Sequence, residues 1–253
     1  MRITEHIYMV GSGTYGLSDP QDCHVWLLAS GSTGEGRLAL IDAGAGDNTE
    51  TILANIESEG FDLGRLDTIL LTHAHRDHAG GCATIKAQLP DTRIVASDAE
   101  AALLEHGSAE DLGLNLLGFD DPDRNALLPP CTVDTVVADG DTVDLGGCSI
   151  RAIVVPGHNP GCVCYLVEVD SKRVLFSGDT VTHGGYISVG NWPGSSLVSY
   201  REHIGRLSGL GVDGLLSGHH VFTLSRGQSH IDKVVDAFHG LWPPPQMHTL
   251  LDA

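Results

Sequence analysis

The chain has 253 residues, of which 42% are hydrophobic and 19% charged, and its formal net charge is −19. This length and composition are typical of a globular protein and exclude a disordered chain. No apolar run approaches the length needed to cross a bilayer, so we expect no membrane partner. The negative charge repels phosphate backbones and acidic lipid surfaces, which argues against nucleic acid as a partner.

The N-terminus has no cationic region followed by an apolar core and a small-residue cleavage site, so we predict a cytoplasmic protein. Six cysteines are scattered through a chain that has enough core-forming residues to fold without disulfides, and reduced thiols are expected. No linker separates two domains, and we predict a single domain over residues 1–253. A homodimer that forms through strand edges or through the cap is compatible with the sequence.

The first half of the chain predicts strands that alternate with helices. Aliphatic and β-branched runs between turn residues are typical of strands. Apolar residues on one face, such as Ile52, Leu53 and Ile56, are typical of a helix. The predicted elements are strands 3–10, 25–29 and 38–42, helix 47–60, strand 67–71, helix 83–89, strand 93–96 and helix 98–106. The polar, proline-bounded stretch 107–130 is less regular and predicts an inserted cap over a site.

The second half begins again with strands. Asp139-Gly140 is a turn sequence that predicts a hairpin between the first two of them. The predicted elements are strands 133–137, 142–145, 149–155, 163–169 and 173–177, helix 197–207 and a short strand at 215–216. Because both halves contain strands followed by helices, we predict an α/β (α+β) fold with two sheets packed face to face and helices outside.

The segment Thr72–Gly81 packs three imidazoles and a carboxylate into six positions directly after an apolar strand. On an extended segment, the alternating residues His73, His75 and Asp77 project to one side, and His78 opens the next element and returns toward them. Imidazole and carboxylate suit zinc, iron, manganese or cobalt, and the absence of cysteine argues against a closed structural zinc site. The cluster therefore predicts a metal site.

Three later positions carry further candidate ligands. His158 stands in a tight Pro/Gly turn after an apolar strand. Asp179 ends a buried strand, where a carboxylate is unfavourable unless a cation or donors receive it, and it can bridge two metals. After Gly218, either His219 or His220 can close a second site, and we prefer His219.

In this order the motifs resemble those of the metallo-β-lactamase superfamily: a strand-ending Asp, His-x-His-x-Asp-His, a Gly-His turn, a Gly-Asp and a late Gly-His. The resemblance covers nearly the whole chain and implies an αββα four-layer sandwich with the site at one edge of the sheets. It implies a first metal site formed by His73, His75 and His158. It implies a second metal site formed by Asp77, His78 and His219, with Asp179 as a ligand that bridges the two metals. Asp42 matches the early Asp of the family, which orients a ligand loop without binding metal.

The resemblance implies two divalent metal ions as cofactors, with Zn²⁺ preferred and iron or manganese as alternatives. Such a site remains about one unit positive, stabilises an oxyanion and supplies a metal-bound hydroxide as nucleophile. Asp77 is also placed to orient the hydroxide or move its proton, a catalytic role beside ligation. The implied function is hydrolysis of a small ester, lactone or thioester, as in the glyoxalase II and lactonase-like branch.

Other functions stay open. A mononuclear iron oxygenase similar to the persulfide dioxygenases, with ligands His73, His158 and Asp179, is the main alternative. Hydrolysis of β-lactams is a minor one, because the related lactamases usually lack the bridging Asp and are exported. A non-catalytic protein that binds a metabolite is the third class.

Substrate choice depends on residues outside the metal motif. Glyoxalase II and the persulfide dioxygenases usually follow Gly-Asp with a Gly-Arg that organises the glutathione pocket, whereas this chain has no Lys or Arg between Asp179 and Arg201. The homoserine-lactone lactonases generally place a Tyr where this chain has Thr182. The loop after Asp179 must approach the metals, and its pocket candidates are His183, Tyr186 and Trp192.

Overall fold

A computed structural model describes residues 1–31, 35–118 and 122–247. The strands of the first sheet, which lie side by side in chain order, are β1 (Ile7–Gly11), β2 (Val25–Ala29), β3 (Leu38–Ile41), β4 (Leu66–Leu70), β5 (Arg93–Ser97) and β6 (Thr135–Val137). The second sheet has the order β11-β10-β9-β8-β7, with β7 (Thr142–Asp144), β8 (Ser149–Val154), β9 (Val163–Val169), β10 (Lys172–Gly178) and β11 (Gly214–Ser217).

The helices lie between and after the strands in both halves of the chain. They are α1 (Thr49–Ser58), α2 (Arg76–Ala79), α3 (Cys82–Gln88), α4 (Asp98–His106), α5 (Arg124–Leu127), α6 (Leu197–His203) and α7 (Gln228–His239). Short 3-10 turns cover Leu63–Arg65, Leu114–Leu116 and Ile204–Leu207. Among the residues described, no helix has the length and apolar character that a membrane crossing requires.

Alternation along the strands divides the core into three apolar layers. In β2, Val25 and Leu27 pack in one cluster with Ile52 of α1, whereas Trp26 packs in a second cluster with Phe176 of β10. Successive strand residues point to opposite faces, so each sheet buries both of its faces. The second cluster lies between the sheets, and the first lies between the first sheet and its helices.

The third apolar layer covers the outer face of the second sheet. Leu175 of β10 and Cys164 of β9 pack there with Tyr200 of α6 and with Ile231 and Val234 of α7. Helices, sheet, sheet and helices therefore form four layers, as the sequence predicts. The predicted fold class is confirmed.

One predicted connection is wrong. Residues 133–137 and 142–145 were expected to form a hairpin, but β6 pairs in parallel with β5 and β7 pairs antiparallel with β8 in the other sheet. The turn at Asp139-Gly140 is real, since Asp141 N donates to the carbonyl of Ala138. It carries the chain from one sheet to the other, because a turn sequence reverses the chain without choosing the strand that it pairs with.

Three other differences concern element ends and one missed helix. Strand β1 begins at Ile7 instead of residue 3, because Thr4 Oγ1 accepts hydrogen bonds from the amides of His6 and Ile7 and turns the chain. The helix predicted over 197–207 ends as a 3-10 turn after His203. Helix α7 was not predicted, although Ile231, Val234 and Phe238 form a buried stripe on one face.

The candidate site residues follow the carboxyl ends of five strands. Strands β3 and β4 are parallel, β10 and β11 are parallel, and β8 runs in the same direction as β10 because both are antiparallel to β9. Their carboxyl ends therefore lie at one edge of each sheet. Hydrogen bonds join the sheets at this edge, from Val163 N to the carbonyl of Thr72 and from the Tyr165 hydroxyl to the carbonyl of Leu71.

Candidate metal centre

Five loops bring the candidate residues together. Asp42 follows β3, the segment 72–78 follows β4, His158 follows β8, Asp179 follows β10 and His219 follows β11. Of these side chains, His73 and His78 are fully buried, and Asp42, His158 and Asp179 are at least 95% buried. The structure thus gathers at one place all eight residues that the sequence nominated as ligands or as their orienting carboxylate.

The local geometry of the histidine-rich segment differs from the predicted one. His73, His75 and Asp77 were expected on one extended segment, but Asp77 lies in α2 and His75 is the extended residue that precedes this helix, with φ −69° and ψ 151°. Alternation therefore stops after His75. The change from extended to helical backbone directs Asp77 and His78 to a second group of ligands instead of the first.

The first group consists of three imidazole nitrogens. His73 Nε2 lies 3.0 Å from His75 Nδ1, and His158 Nε2 lies 3.1 Å and 3.0 Å from these two atoms. The ligands of a tetrahedral zinc ion, each about 2.0–2.1 Å from the metal, stand roughly 3.3 Å apart. Three nitrogens with nearly equal spacing fit one face of such an ion.

The outer ring nitrogens fix the tautomers of this group. His158 Nδ1 donates to the carbonyl of Ser188 over 2.9 Å, so its Nε2 carries a lone pair. The Thr72 hydroxyl lies within 2.8 Å of Asp42, which only accepts, and the hydroxyl therefore accepts from His73 Nδ1 at 3.1 Å. The Nε2 lone pairs of His73 and His158 then face each other at 3.1 Å, an arrangement that a cation between them stabilises.

The second group contains Asp77, His78 and His219. His219 Nε2 lies 3.0 Å from Asp77 Oδ2 and 3.3 Å from His78 Nε2, and His78 Nε2 lies 3.5 Å from Asp77 Oδ2. The ring of His78 donates from Nδ1 to Asp42 Oδ2 over 2.8 Å, which leaves its Nε2 for the group. The carbonyl of His220 accepts from His24 and Tyr15, and the structure brings His219, not His220, into this group.

Asp179 lies between the two groups. Its Oδ2 is 3.7 Å from His158 Nε2 and 3.5 Å from His219 Nε2, and its Oδ1 is 3.5 Å from His78 Nε2. The Oδ1 atom is buried and has no hydrogen-bond partner among the described residues. A buried carboxylate oxygen without a donor is unfavourable, and a cation beside it removes the penalty. The donor set therefore fits divalent ions on both sides of Asp179.

The two groups differ in charge. Burial lowers the pKa of His75 to about 3 and also lowers the pKa values of His73 and His158, so all three rings are neutral at pH 7. Burial opposes the charged forms of His78 and His219 too, but the carboxylates around them, which include Asp77 and Asp179, raise the pKa of both. A divalent ion in the second group would replace these protons.

Asp42 lies beside the candidate ligands and contacts the segments that carry them. Its Oδ1 accepts from the amide of Thr72 over 2.8 Å, and its Oδ2 accepts from His78 over 2.8 Å. Its φ of 63° lies in the left-handed region, which aspartate adopts more readily than most residues. Through Thr72 it also orients His73, so one carboxylate orients ligands of both groups.

Sequence reasoning missed Glu100, which is fully buried in α4. One oxygen accepts from the amide of Ala74 at 2.7 Å and from the Asn159 side chain at 2.8 Å, and the other accepts from the amide of Gly161 at 2.8 Å. Glu100 thus joins the loop of His73 and His75 to the turn of His158. Burial raises its pKa to about 7 against the effect of these three donors.

Gly218 allows the close approach of the late loop. A Cβ at this position would lie 2.6 Å from Asp179 Oδ1 and 2.6 Å from His78 Cε1. Both distances are below any real contact of a Cβ, and both atoms belong to candidate ligands. The Gly-His sequence therefore has a steric reason, since only glycine lets the loop pass between these side chains.

A cavity of about 630 Å³ opens beside the centre. Its polar floor contains His75, Asp77, His158 and Asp179, and Trp192 lines its wall. The other two pocket candidates do not line it. His183 packs against His230 of α7 with ring centroids 4.2 Å apart, and a bridge between residues 182 and 186 folds the segment of Tyr186 back on itself.

Residues 112–117 of the predicted cap region also line this cavity, at Leu112, Gly113, Leu116 and Leu117. They surround the 3-10 turn Leu114–Leu116, and the later part of the region contains α5. Residues 119–121 lie outside the described residues. Arg76 and Gln21 also line the cavity, and the sequence analysis did not predict either residue there.

The chain is similar in sequence to proteins whose names describe hydrolases. It is 28% identical over 213 residues to the hydroxyacylglutathione hydrolase of Acidiphilium cryptum, across 83% of this chain and 70% of that protein. It is 27% identical over 210 residues to the atrochrysone carboxyl ACP thioesterase of Aspergillus fumigatus, across 83% and 54%. It is 30% identical over 165 residues to the hydroxyacylglutathione hydrolase of Klebsiella pneumoniae, across 65% and 49%. The match spans about half the length of the last two relatives.

Solved structures agree with the fold. A metallo-beta-lactamase of Cronobacter sakazakii with a HARLDQ motif is 30% identical, with a TM-score of 0.67 over 87% of this chain and 77% of that one. The subclass B3 metallo-beta-lactamase BJP-1 of Bradyrhizobium japonicum is 26% identical, with a TM-score of 0.70 over 94% and 91%. The model of one protein family matches residues 18–227, and by that match the chain belongs to the metallo-beta-lactamase superfamily.

Proposed function

We propose that the protein hydrolyses a small thioester, ester or lactone at a dinuclear metal centre, with zinc as the preferred ion. The observation that carries this proposal is the position of Asp179, whose Oδ2 lies 3.7 Å from a nitrogen of the first group and 3.5 Å from a nitrogen of the second. A buried carboxylate between two sets of ligands is typical of a site for two ions.

The metal ions and Asp77 have different roles in the proposed hydrolysis. When bound, the ions polarise a carbonyl oxygen and lower the pKa of water to about 7, which supplies a nucleophile at neutral pH. Asp77 is the one carboxylate of the centre with substantial exposure, at 34% of its side chain, and it faces the cavity. From there it accepts a proton from water and returns it to the leaving group.

The overall reaction adds one water molecule across the acyl bond. The oxygen of water joins the carbonyl carbon, the carbon–sulfur or carbon–oxygen bond breaks, and the leaving thiolate or alkoxide receives a proton through Asp77. The products are a carboxylic acid and a thiol or an alcohol. No serine or cysteine nucleophile is required, and burial raises the pKa of Cys23, the thiol near His78 and Asp42, to about 12.

Two of the relatives support thioesters within this class, because one is named as a thioesterase and the other as a hydrolase of acylated glutathione. We extend this chemistry to the present chain as part of the proposal. The six cysteines are free, which supports the cytoplasm as the compartment.

Metal content and activity, measured together, test the proposal. The protein is purified without added metal, its metal is counted, and it is assayed with thioesters, lactones, aryl esters and a chromogenic cephalosporin. We expect about two zinc ions for each chain and hydrolysis that falls at least about 100-fold in His75→Ala. His183→Ala is the matched control, because this histidine lies outside the cavity, and it should keep full activity.

The same preparation tests the oxygenase alternative. About one iron for each chain, oxygen uptake with a persulfide and no hydrolysis would overturn the hydrolase proposal. Hydrolysis of the cephalosporin alone would instead favour the lactamase alternative.

A further inference from the structure

The cavity beside the metal centre has a polar part and an apolar part. Its floor contains candidate ligands, whereas Leu112, Leu116, Leu117 and Trp192, the apolar wall, are the large apolar side chains among the described residues that line it. A cavity of about 630 Å³ has the size of sites that hold small organic ligands, and such sites are mostly apolar with a few polar groups that orient the ligand. The wall is therefore the surface on which the non-reacting part of a substrate would lie.

The cap presents its leucines to the cavity for a structural reason. Leu112 and Leu114 are at least 96% buried and anchor the segment in the apolar layer under the first sheet. Between them Gly113 has a φ of 68°, which begins a 3-10 turn. Leu116 and Leu117 come after this turn and remain 51% and 56% exposed. These two exposed leucines line the cavity and offer apolar surface to a bound ligand.

Trp192 connects the wall to the metal ligands. Its indole N–H donates to the carbonyl of His158 over 2.8 Å, which fixes the ring. The ring centroid lies 5.1 Å from that of His158 and 5.5 Å from that of His75. A group bonded to a carbonyl carbon at the centre would therefore meet a rigid aromatic surface first and the leucines next.

Apart from the ions of the proposed centre, the described lining of the cavity offers no free cation to an anionic substrate. Arg76 is the only Lys or Arg among the described residues that line it, and it is 94% buried. All three of its guanidinium nitrogens have partners: Nη2 donates to Asp47 at 2.5 Å, Nη1 to Gln21 at 2.7 Å and Nε to the carbonyl of Leu127 at 3.1 Å. Asp47 neutralises its charge, and the chain as a whole is strongly acidic.

We propose that the natural substrate is uncharged around the scissile bond and carries an extended apolar acyl group, which lies against Trp192, Leu116 and Leu117. This inference deepens the proposed function and rests on it. It predicts that glutathione thioesters, which carry two carboxylates, are poorer substrates than uncharged thioesters of the same acyl group, although one relative is named as a hydroxyacylglutathione hydrolase. A small hydroxyacyl group would leave the apolar wall in contact with water.

A pair of matched thioesters tests the charge. S-octanoylglutathione and S-octanoyl-N-acetylcysteamine present the same acyl group, and only the first has a leaving group with ionised carboxylates. We expect kcat/KM to be at least about tenfold higher for the uncharged thioester, because the described cavity offers the carboxylates no free cation. An equal or higher kcat/KM for the glutathione thioester would overturn the inference while leaving the hydrolase proposal intact.

Chain length tests the apolar wall. With N-acetylcysteamine thioesters, kcat/KM should rise about tenfold from the butanoyl to the octanoyl ester, since each methylene removed from water favours binding. Leu117→Asn should reduce this rise to about twofold. Leu241→Asn is the matched control, because Leu241 is 88% exposed and does not line the cavity, and it should keep the tenfold rise. A flat series in the wild-type protein would contradict the inference.

Binding without chemistry separates the two proposals. Titration calorimetry with uncharged, non-hydrolysable N-acyl ethanolamides should show affinity that rises with chain length in the wild type and in Leu241→Asn, and much less in Leu117→Asn. If the amides bind in this way and no thioester or ester is cleaved, the hydrolase proposal fails and the apolar site stands. If esters are cleaved and the amides show no dependence on chain length, the apolar site fails alone.

Discussion

The Nδ1 atom of His78 lies 2.8 Å from Oδ2 of Asp42, and both side chains are buried at the carboxyl ends of neighbouring strands. This contact fixes the tautomer and the ring plane of a candidate ligand from outside the centre. Because Asp42 also accepts from the amide and hydroxyl of Thr72, the same carboxylate sets the position of the loop that carries His73.

Replacement of Asp42 should weaken metal binding without removing a ligand. In Asp42→Asn the amide nitrogen must face either the amide of Thr72 or Nδ1 of His78, and both of these groups are donors. We expect metal affinity to fall about 10- to 100-fold, measured by competition with a chelator of known affinity. Glu168→Gln, which removes a side chain that is 74% exposed, is the control. Unchanged affinity in Asp42→Asn would show that the contact does not orient His78.

The division of ligands predicts the number of ions that each variant retains. His158→Ala should lose the ion of the first group and His219→Ala that of the second, so we expect about one ion in each variant and about two in the wild type. Asp179→Asn should weaken both. His220→Ala is the control for the late loop and should bind two. Elemental analysis after dialysis checks these numbers, and loss of an ion in His220→Ala would exchange the roles of the two histidines.

Thr72 offers a test of the hydrogen-bond relay from Asp42 to His73. In Thr72→Val the hydroxyl is lost, so His73 Nδ1 has no fixed acceptor and its tautomer is no longer set. We expect metal affinity of the first group to fall about tenfold. Thr72→Ser keeps the hydroxyl and should restore affinity close to that of the wild type. Equal affinity of the valine and serine variants would contradict the relay.

Glu100 predicts a pH dependence of stability. Its pKa in the folded state is raised by burial from 4.5 to about 7, so the folded protein holds this proton where the unfolded chain has released it. The contribution of this carboxyl to the free energy of unfolding should therefore be most favourable below about pH 4.5 and become less favourable by on the order of 3 kcal/mol as the pH rises from about 4.5 to about 7. Denaturant unfolding of the wild type and Glu100→Gln across this range measures the difference.

Only the part of the slope that vanishes in Glu100→Gln belongs to this carboxyl, because other groups titrate in the same range. Glu110→Gln, at an exposed position, should keep the slope of the wild type. A wild-type slope that survives in Glu100→Gln would show that Glu100 keeps its ordinary pKa in the folded protein.

The clustering of the candidate ligands was predictable because each of them lies on a segment that follows a strand. Asp179 and His158 illustrate this, since turn residues and strand ends are visible in sequence. Glu100 was not predictable, because it stands in an ordinary acidic helix and its partners Ala74 and Gly161 come together only in the folded chain.

The pocket candidates show a second limit of prediction from sequence. His183, Tyr186 and Trp192 were nominated by their distance along the chain from Asp179, and only Trp192 lines the cavity. Two glycines with positive φ, Gly184 and Gly185, turn the segment back before it reaches the centre. Spacing alone does not reveal such a turn. The crossing at Asp139-Gly140 was misread for the same reason, because the pairing partner of a strand is a property of the tertiary fold.

That crossing divides the centre between two pieces of chain. Every candidate ligand up to His78 precedes it and belongs to loops of the first sheet, whereas His158, Asp179 and His219 follow it and belong to loops of the second. If the backbone were cut at Gly140, each fragment would carry an incomplete set of ligands for both ions. Metal would then act as a cross-link between fragments, and its uptake would report their reassembly directly.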